Sequence, residues 1–226
     1  MNLTFFAIWI SILFFDGALT YGLTWAATSA HFSKYRMRAP QNSPISLTER
    51  RVNAGLNNLF SIVIFGTYFY FLGGRTLYSG WPSMTGLIGE VLGVLLLYDL
   101  MHYFFHRLMH RRRLMKYCHA VHHRVRSPTS NDSAFLNPLE MVGGLGLLFI
   151  SIIILGPIST VSFLVMFAIY TSVNIITHAN LNIPHPAFRL FNFWVQRHNV
   201  HHHKARSNYG SIFPFWDQAF GTSDSE

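Results

Sequence analysis

The stretch Tyr98-Asp99-Leu100-Met101-His102-Tyr103-Phe104-Phe105-His106-Arg107-Leu108-Met109-His110 decides how this chain is to be read. At 100° per residue, Asp99, His102, Tyr103, His106 and His110 fall within about a third of a helix circumference, so one helix carries them as a polar stripe. His106 and His110, spaced i, i+4, leave adjacent turns on one face and can hold a single metal ion. Upstream of the stripe the sequence is apolar back to residue 87, with Glu90 the one charged residue. The stretch therefore reads as a membrane helix whose ligand-bearing end emerges at an interface.

Working outward, four more runs have the length and apolarity of membrane spans, so that the five cover 3–30, 56–72, 87–105, 139–155 and 158–176. The last two meet at Gly156-Pro157, a tight hairpin turn. With 226 residues the chain is expected to be one integral-membrane domain, 1–226, with amino-terminal membrane helices over 3–72. Half of it is hydrophobic and only 12% is Asp, Glu, Lys or Arg, against about a quarter in soluble domains. Asp16 lies within the first run, where a carboxylate costs about 2.5–3.5 kcal/mol on insertion scales, and it is expected to face other helices. The opening Met1-Asn2-Leu3-Thr4 lacks the cationic side chain of a signal-peptide n-region. The single cysteine, Cys118, excludes an internal disulfide framework.

Charge placement sets the orientation. With five spans and the amino terminus outside, the segments 31–55, 106–138 and 177–226 share the inner side and hold five, seven and four of the 17 Lys and Arg; only Arg75 lies elsewhere. This is the bias of the positive-inside rule. A four-span variant, with the first run loosely inserted, keeps the same inner segments. The formal charge of +8 does not point to nucleic acid, because no basic soluble domain remains, and Arg111-Arg112-Arg113 sits where basic residues meet anionic head groups.

Twelve of the 13 histidines lie beyond residue 101, and their clusters fall on that inner side. His119-Ala120-Val121-His122-His123 and His198-Asn199-Val200-His201-His202 repeat the spacing i, i+3, i+4. On a helix the three imidazoles of each box share a face, so two can bind one ion while the third reaches another. His178 stands at the inner end of the fifth run, placed to close the site. The candidate ligands are His106, His110, His119, His122, His123, His178, His198, His201 and His202. So many imidazoles packed without a metal would leave donors and acceptors unsatisfied. Nine ligands exceed one tetrahedral zinc site and suit two metals of higher coordination, although imidazole serves zinc, copper, iron and nickel alike. Asp99, Asp132, Glu140 and Asp217, with His102 and Asn174, are candidates to stand behind these ligands and fix their tautomers. His203 points off the box face, and His31 and His185 fit no spacing pattern.

At these residues the chain resembles the fatty acid hydroxylase and sterol desaturase superfamily of membrane di-iron enzymes. The resemblance runs through Asp99-x-x-x-Tyr103-x-x-His106-Arg107-x-x-His110, His119-x-x-His122-His123, Ser127-Pro128-Thr129 and Asn137-Pro138-Leu139-Glu140. It continues at His178-Ala-Asn-Leu-Asn-Ile-Pro184, His198-x-x-His201-His202, Asn208-Tyr209-Gly210, Trp216-Asp217 and Phe220-Gly221-Thr222, covering about residues 87–222. It departs at Asn137, where many relatives have histidine, and at His203, which lengthens the last box. What it implies is an all-α, multi-pass membrane bundle of four to five spans, with a cytosolic helical cap holding a di-metal site. Two iron ions, O2 activation and electrons from a separate donor such as cytochrome b5 or ferredoxin are implied too.

The expected activity is therefore hydroxylation or desaturation of a lipid that enters from the bilayer, in a bacterial inner membrane or the endoplasmic reticulum. Tyr103, Phe104, Phe105, Phe191, Phe193 and Trp194 are candidates to line its path. Two other classes compete. A zinc-dependent membrane hydrolase would keep carboxylate ligands or a nearby base, which the boxes lack; a metal transporter or sensor would place its ligands at mid-membrane.

Overall fold

Polar caps begin each of the long helices. In this computed structural model, which describes residues 2–39 and 45–225, α1 is Leu3–Thr28, α2 Leu47–Phe71, α3 Met84–Met109, α4 Pro138–Leu155 and α5 Thr160–Thr177. The side chains of Asn2, Ser46, Ser83, Asn137 and Ser159 each accept a backbone N–H from the first turn that follows. Asn137, one of the departures from the family pattern, thus has a structural task, with Pro138 pre-set at the first helical position. All five helices are long and apolar enough to cross a membrane, and the protein is a multi-pass, all-helical membrane protein.

The helix bounds differ from the sequence reading at several ends, and at two of them the structure shows the cause. The second helix starts at Leu47 rather than 56, because the Ser46 cap and Glu49 organise two polar turns ahead of the apolar run. Those turns are anchored from outside the helix: Arg50 pairs with Asp132, and Arg124 donates to Glu49 at 2.6 Å. At Gly156-Pro157 the chain does reverse, with Gly156 at φ 98°, but Ile158–Ser159 (β2) then pairs in parallel with Leu77–Tyr78 (β1) before α5 begins. Glu90 pins this end of the bundle, accepting from the Tyr78 hydroxyl at 2.7 Å and the Ser159 N–H at 2.8 Å.

Between these ends α3 packs against α4 and α5, α1 leans on α5, and α2 leans on α4. The core is aromatic and aliphatic, with Phe65, Tyr68, Leu95, Leu148, Phe149, Phe163 and Phe167 all buried. Tyr68 and Phe149 stack with centroids 4.0 Å apart. Phe14, Leu59, Ile62, Tyr70, Phe71 and Ile154 point outward, as they would toward lipid. Asp16 is buried against the bundle, as the sequence required.

The cap on the histidine side of the bundle is assembled from short pieces. Residues 112–123 form a helical stretch that includes a π turn, Met115–His119, and then Ala120–His123. α6, Arg189–Lys204, packs on α5, and a short α7, Phe215–Ala219, completes the carboxyl-terminal tail. Residues 35–38 strap this cap: Met37 donates its N–H to Asn180 O at 3.1 Å, and Arg38 bonds Asn199.

Candidate metal centre

The structure brings all nine histidines singled out by spacing into two adjoining groups. His106, His110, His119, His123 and His201 form one, and His122, His178, His198 and His202 the other; within each group the potential ligand atoms lie within 4.8 Å of one another. Each H-x-x-H-H box is divided the same way. Its first and last histidines, spaced i, i+4, join one group, and the middle one crosses to the other. His119 and His123 thus join the first group and His198 and His202 the second, while His122 and His201 exchange places. The two boxes therefore interlock across the centre.

Six of the nine rings are oriented by an oxygen at Nδ1. His106 meets Tyr209 O at 2.9 Å, His119 meets Glu140 Oε1 at 2.8 Å and His122 meets Phe135 O at 3.1 Å. His178 meets Asn174 O at 2.8 Å, His201 meets Ser207 O at 2.7 Å and His202 meets Val125 O at 3.0 Å. An oxygen acceptor at Nδ1 holds the proton there and leaves a lone pair on Nε2. Those lone pairs converge. Nε2 of His106 lies 3.1 Å from that of His119, and Nε2 of His178 lies 3.4 Å from that of His122. Two such lone pairs repel unless a cation lies between them, so the donor set fits two metal ions bound by nitrogen.

Protonation cannot supply that cation. Loss of solvent, and then the neighbouring imidazoles, push His123 down to about 2. Burial likewise lowers His178 to about 3 and His110 to about 4. The same two causes hold His119, His198, His201 and His202 well below the usual imidazole range. The rings stay neutral, the form that binds metal.

Of the residues expected behind the ligands, Glu140 does touch an imidazole. Asp99 accepts instead from the backbone N–H groups of Ser211, Ile212 and Phe213 at 2.8–2.9 Å. Asp217 accepts from those of Tyr209 and Gly210, and from Arg197. These two carboxylates hold the 209–213 loop, whose Tyr209 carbonyl reaches His106, so they act one bond further out. Asp132 pairs with Arg50 and takes the Thr129 N–H. Asn174 serves through its carbonyl rather than its amide. His102 joins neither group and faces the cavity described below, its Nδ1 without a partner. His203 is exposed. The carbonyls of Phe135, Val125, Ser207 and Tyr209 escaped the sequence reading, because any residue type presents one.

A cavity of about 730 Å³ opens from the histidines into the bundle. Of the six aromatic residues expected along a substrate path, Phe105 alone lines it. Tyr103 bonds Thr222, Trp194 donates to Ile212 O, and Phe104 is outward-facing. α1 and α2 run antiparallel and are joined at the far end by ring contacts of Trp9 with Phe65 and Phe69. Nearer the histidines, Leu13, Tyr21 and Ile62 both line the cavity and are exposed on the surface. The cavity therefore opens sideways between these two helices.

A helical membrane bundle with neutral histidines gathered in two metal-sized groups beneath a lateral cavity defines the class. The family comparison agrees: the sequence pattern of the family described as fatty acid hydroxylase matches residues 91–222. The chain belongs to that family. It is 31% identical over 166 residues to methylsterol monooxygenase 1 of Danio rerio, covering 71% of this chain and 56% of that protein. Its identity to methylsterol monooxygenase 1 of Rattus norvegicus is 33% over 168 residues, 71% of this chain and 56% of the relative. With cholesterol 25-hydroxylase-like protein 1, member 2, of Danio rerio it shares 31% over 147 residues, 62% of this chain and 52% of the relative. The chain thus matches little more than half the length of these curated relatives. No solved structure matches it significantly.

Proposed function

We propose that this chain is a membrane lipid oxidoreductase that uses O2 and two iron ions to hydroxylate or desaturate its substrate, fed by a separate electron donor such as cytochrome b5 or ferredoxin. The observation that carries the reading is the pair of converging Nε2 sets, whose protons are tied back at Nδ1. The ligands assigned are His106, His110, His119, His123 and His201 for one ion and His122, His178, His198 and His202 for the other. Iron, when bound, supplies the activation of O2 that an unactivated C–H bond requires.

The protein's own part is positional. The lateral opening between α1 and α2 admits an apolar molecule without passage through water, and the cavity wall aligns it beneath the histidines. Burial of the site keeps solvent from the reacting carbon. The concentration of Lys and Arg in segments 31–55, 106–138 and 177–226 supports, by the positive-inside rule, a centre on the cytoplasmic side of one integral-membrane domain.

The test replaces one ligand from each group. His122→Ala and His201→Ala are expected to lose bound iron, measured by elemental analysis, together with the O2-dependent lipid product. An active wild-type preparation without stoichiometric transition metal would overturn the proposal. Stoichiometric zinc with hydrolytic turnover would replace it by a hydrolase.

A further inference from the structure

The cavity reaches well past the histidines. Its wall continues between α1, α2 and α5 to Asp16. This side chain is 8% exposed, and neither carboxylate oxygen has a hydrogen-bond partner. Thr171 and Ser172 of α5 stand beside it. The hydroxyl proton of Thr171, however, goes to Phe167 O at 3.0 Å, and the Ser172 hydroxyl makes no hydrogen bond to either carboxylate oxygen. The cavity wall is largely apolar, with Leu13, Ile62, Phe65 and Phe167, and Thr20, Asn58 and Ser61 are among its polar residues on α1 and α2. A buried acceptor without a hydrogen bond, in the wall of a chamber open to lipid, lacks its complement.

We propose that Asp16 receives the hydroxyl group of the substrate, and that the enzyme oxidises a carbon remote from that hydroxyl. The inference rests on the cavity being the substrate site of the proposed oxidoreductase, and it narrows the substrate to a lipid alcohol. A lipid carboxylate would carry its charge into a largely apolar wall and offers Asp16 no donor. An ammonium would carry both a charge and three donors into that wall. A hydroxyl donates one bond and brings no charge.

The spacing follows from α5, because Thr171, beside Asp16, precedes His178 by seven residues, a rise of about 10 Å. The hydroxyl and the oxidised carbon are therefore separated by about that distance, with the apolar body of the molecule alongside Phe105.

Equilibrium binding in lipid nanodiscs tests this without turnover. The probes are tritiated cholesterol against 5-cholestene, the same skeleton with hydrogen in place of the hydroxyl, and tritiated octadecan-1-ol against octadecane. At least one alcohol is expected to bind wild-type protein about tenfold more tightly than its hydrocarbon, or about 1.4 kcal/mol. Asp16→Leu is expected to erase that preference and leave hydrocarbon affinity unchanged; the smaller Asp16→Ala takes its place should the bulkier side chain prevent folding, judged by bound iron and melting temperature. Asp16→Asn, which keeps an amide oxygen, is expected to retain part of the preference.

Failure to bind either alcohol, absence of a preference in wild type, or its persistence in the Asp16 variants overturns the proposal. Hydroxyl-selective binding without any O2-dependent product would instead leave this site standing and sink the oxidoreductase reading. Product formation that is indifferent to Asp16 would do the reverse.

Discussion

What an imidazole does here depends on which atom its second ring nitrogen meets. Glu140 is the one carboxylate among the described residues that accepts directly from a ligand ring, holding His119 at 2.8 Å. Glu140→Ala removes that acceptor, frees the ring to turn, and is expected to weaken metal binding at the first group by about 10–100-fold. Glu140→Gln, whose amide oxygen can still accept, is expected to lose far less; titration with Fe(II), followed by absorbance, separates the two. The candidate ligands were readable from their spacing alone, since i, i+3 and i+4 are the distances at which helical side chains meet. The division of each box between two groups was not. It depends on how two helical stretches face each other, and the carbonyls that fix most of the tautomers leave no mark in a sequence.

At the scale of elements, α3 and α4 approach each other closely at Gly143. A Cβ there would stand 2.5 Å from the tip of the Phe105 ring, so the absence of a side chain lets that ring line the cavity. Gly143→Val is expected to push Phe105 into the chamber and to cost about 1–3 kcal/mol by overpacking, seen as a lowered melting temperature and weaker lipid binding. A melting temperature and lipid affinity equal to wild type would show that the ring has room to give way. The long helices were legible because apolar runs of bilayer length have few other uses. Where α2 begins was not, since its first turns are polar and helical only by virtue of the Ser46 cap and the partners that Arg50 and Glu49 find elsewhere in the chain.

At the scale of the molecule, the gathered imidazoles make stability and metal retention depend on acidity. In the metal-free folded protein His110 is held down to about 4 and His178 to about 3 by burial, whereas an unfolded chain protonates its histidines near 6.5. Below about pH 6.5 the unfolded state binds protons that the folded state refuses, so stability falls as pH drops from there toward 4. Each imidazole that stays neutral only when folded contributes a slope of about 1.4 kcal/mol per pH unit. Thermal melts of metal-free protein between pH 7.5 and 4.5 are expected to show this decline. Metal-loaded protein is expected to hold its melting temperature until protons displace the ions. A flat profile in the metal-free state would mean that the rings are already protonated or open to solvent.

The tail that carries Ser207 and Tyr209 closes the centre from beneath, and its carbonyls orient His201 and His106. All five bilayer helices precede those residues in the chain. His106 and His201 thus reach the orientation described here only after this last stretch has folded back, so the centre is completed by the end of the chain made last.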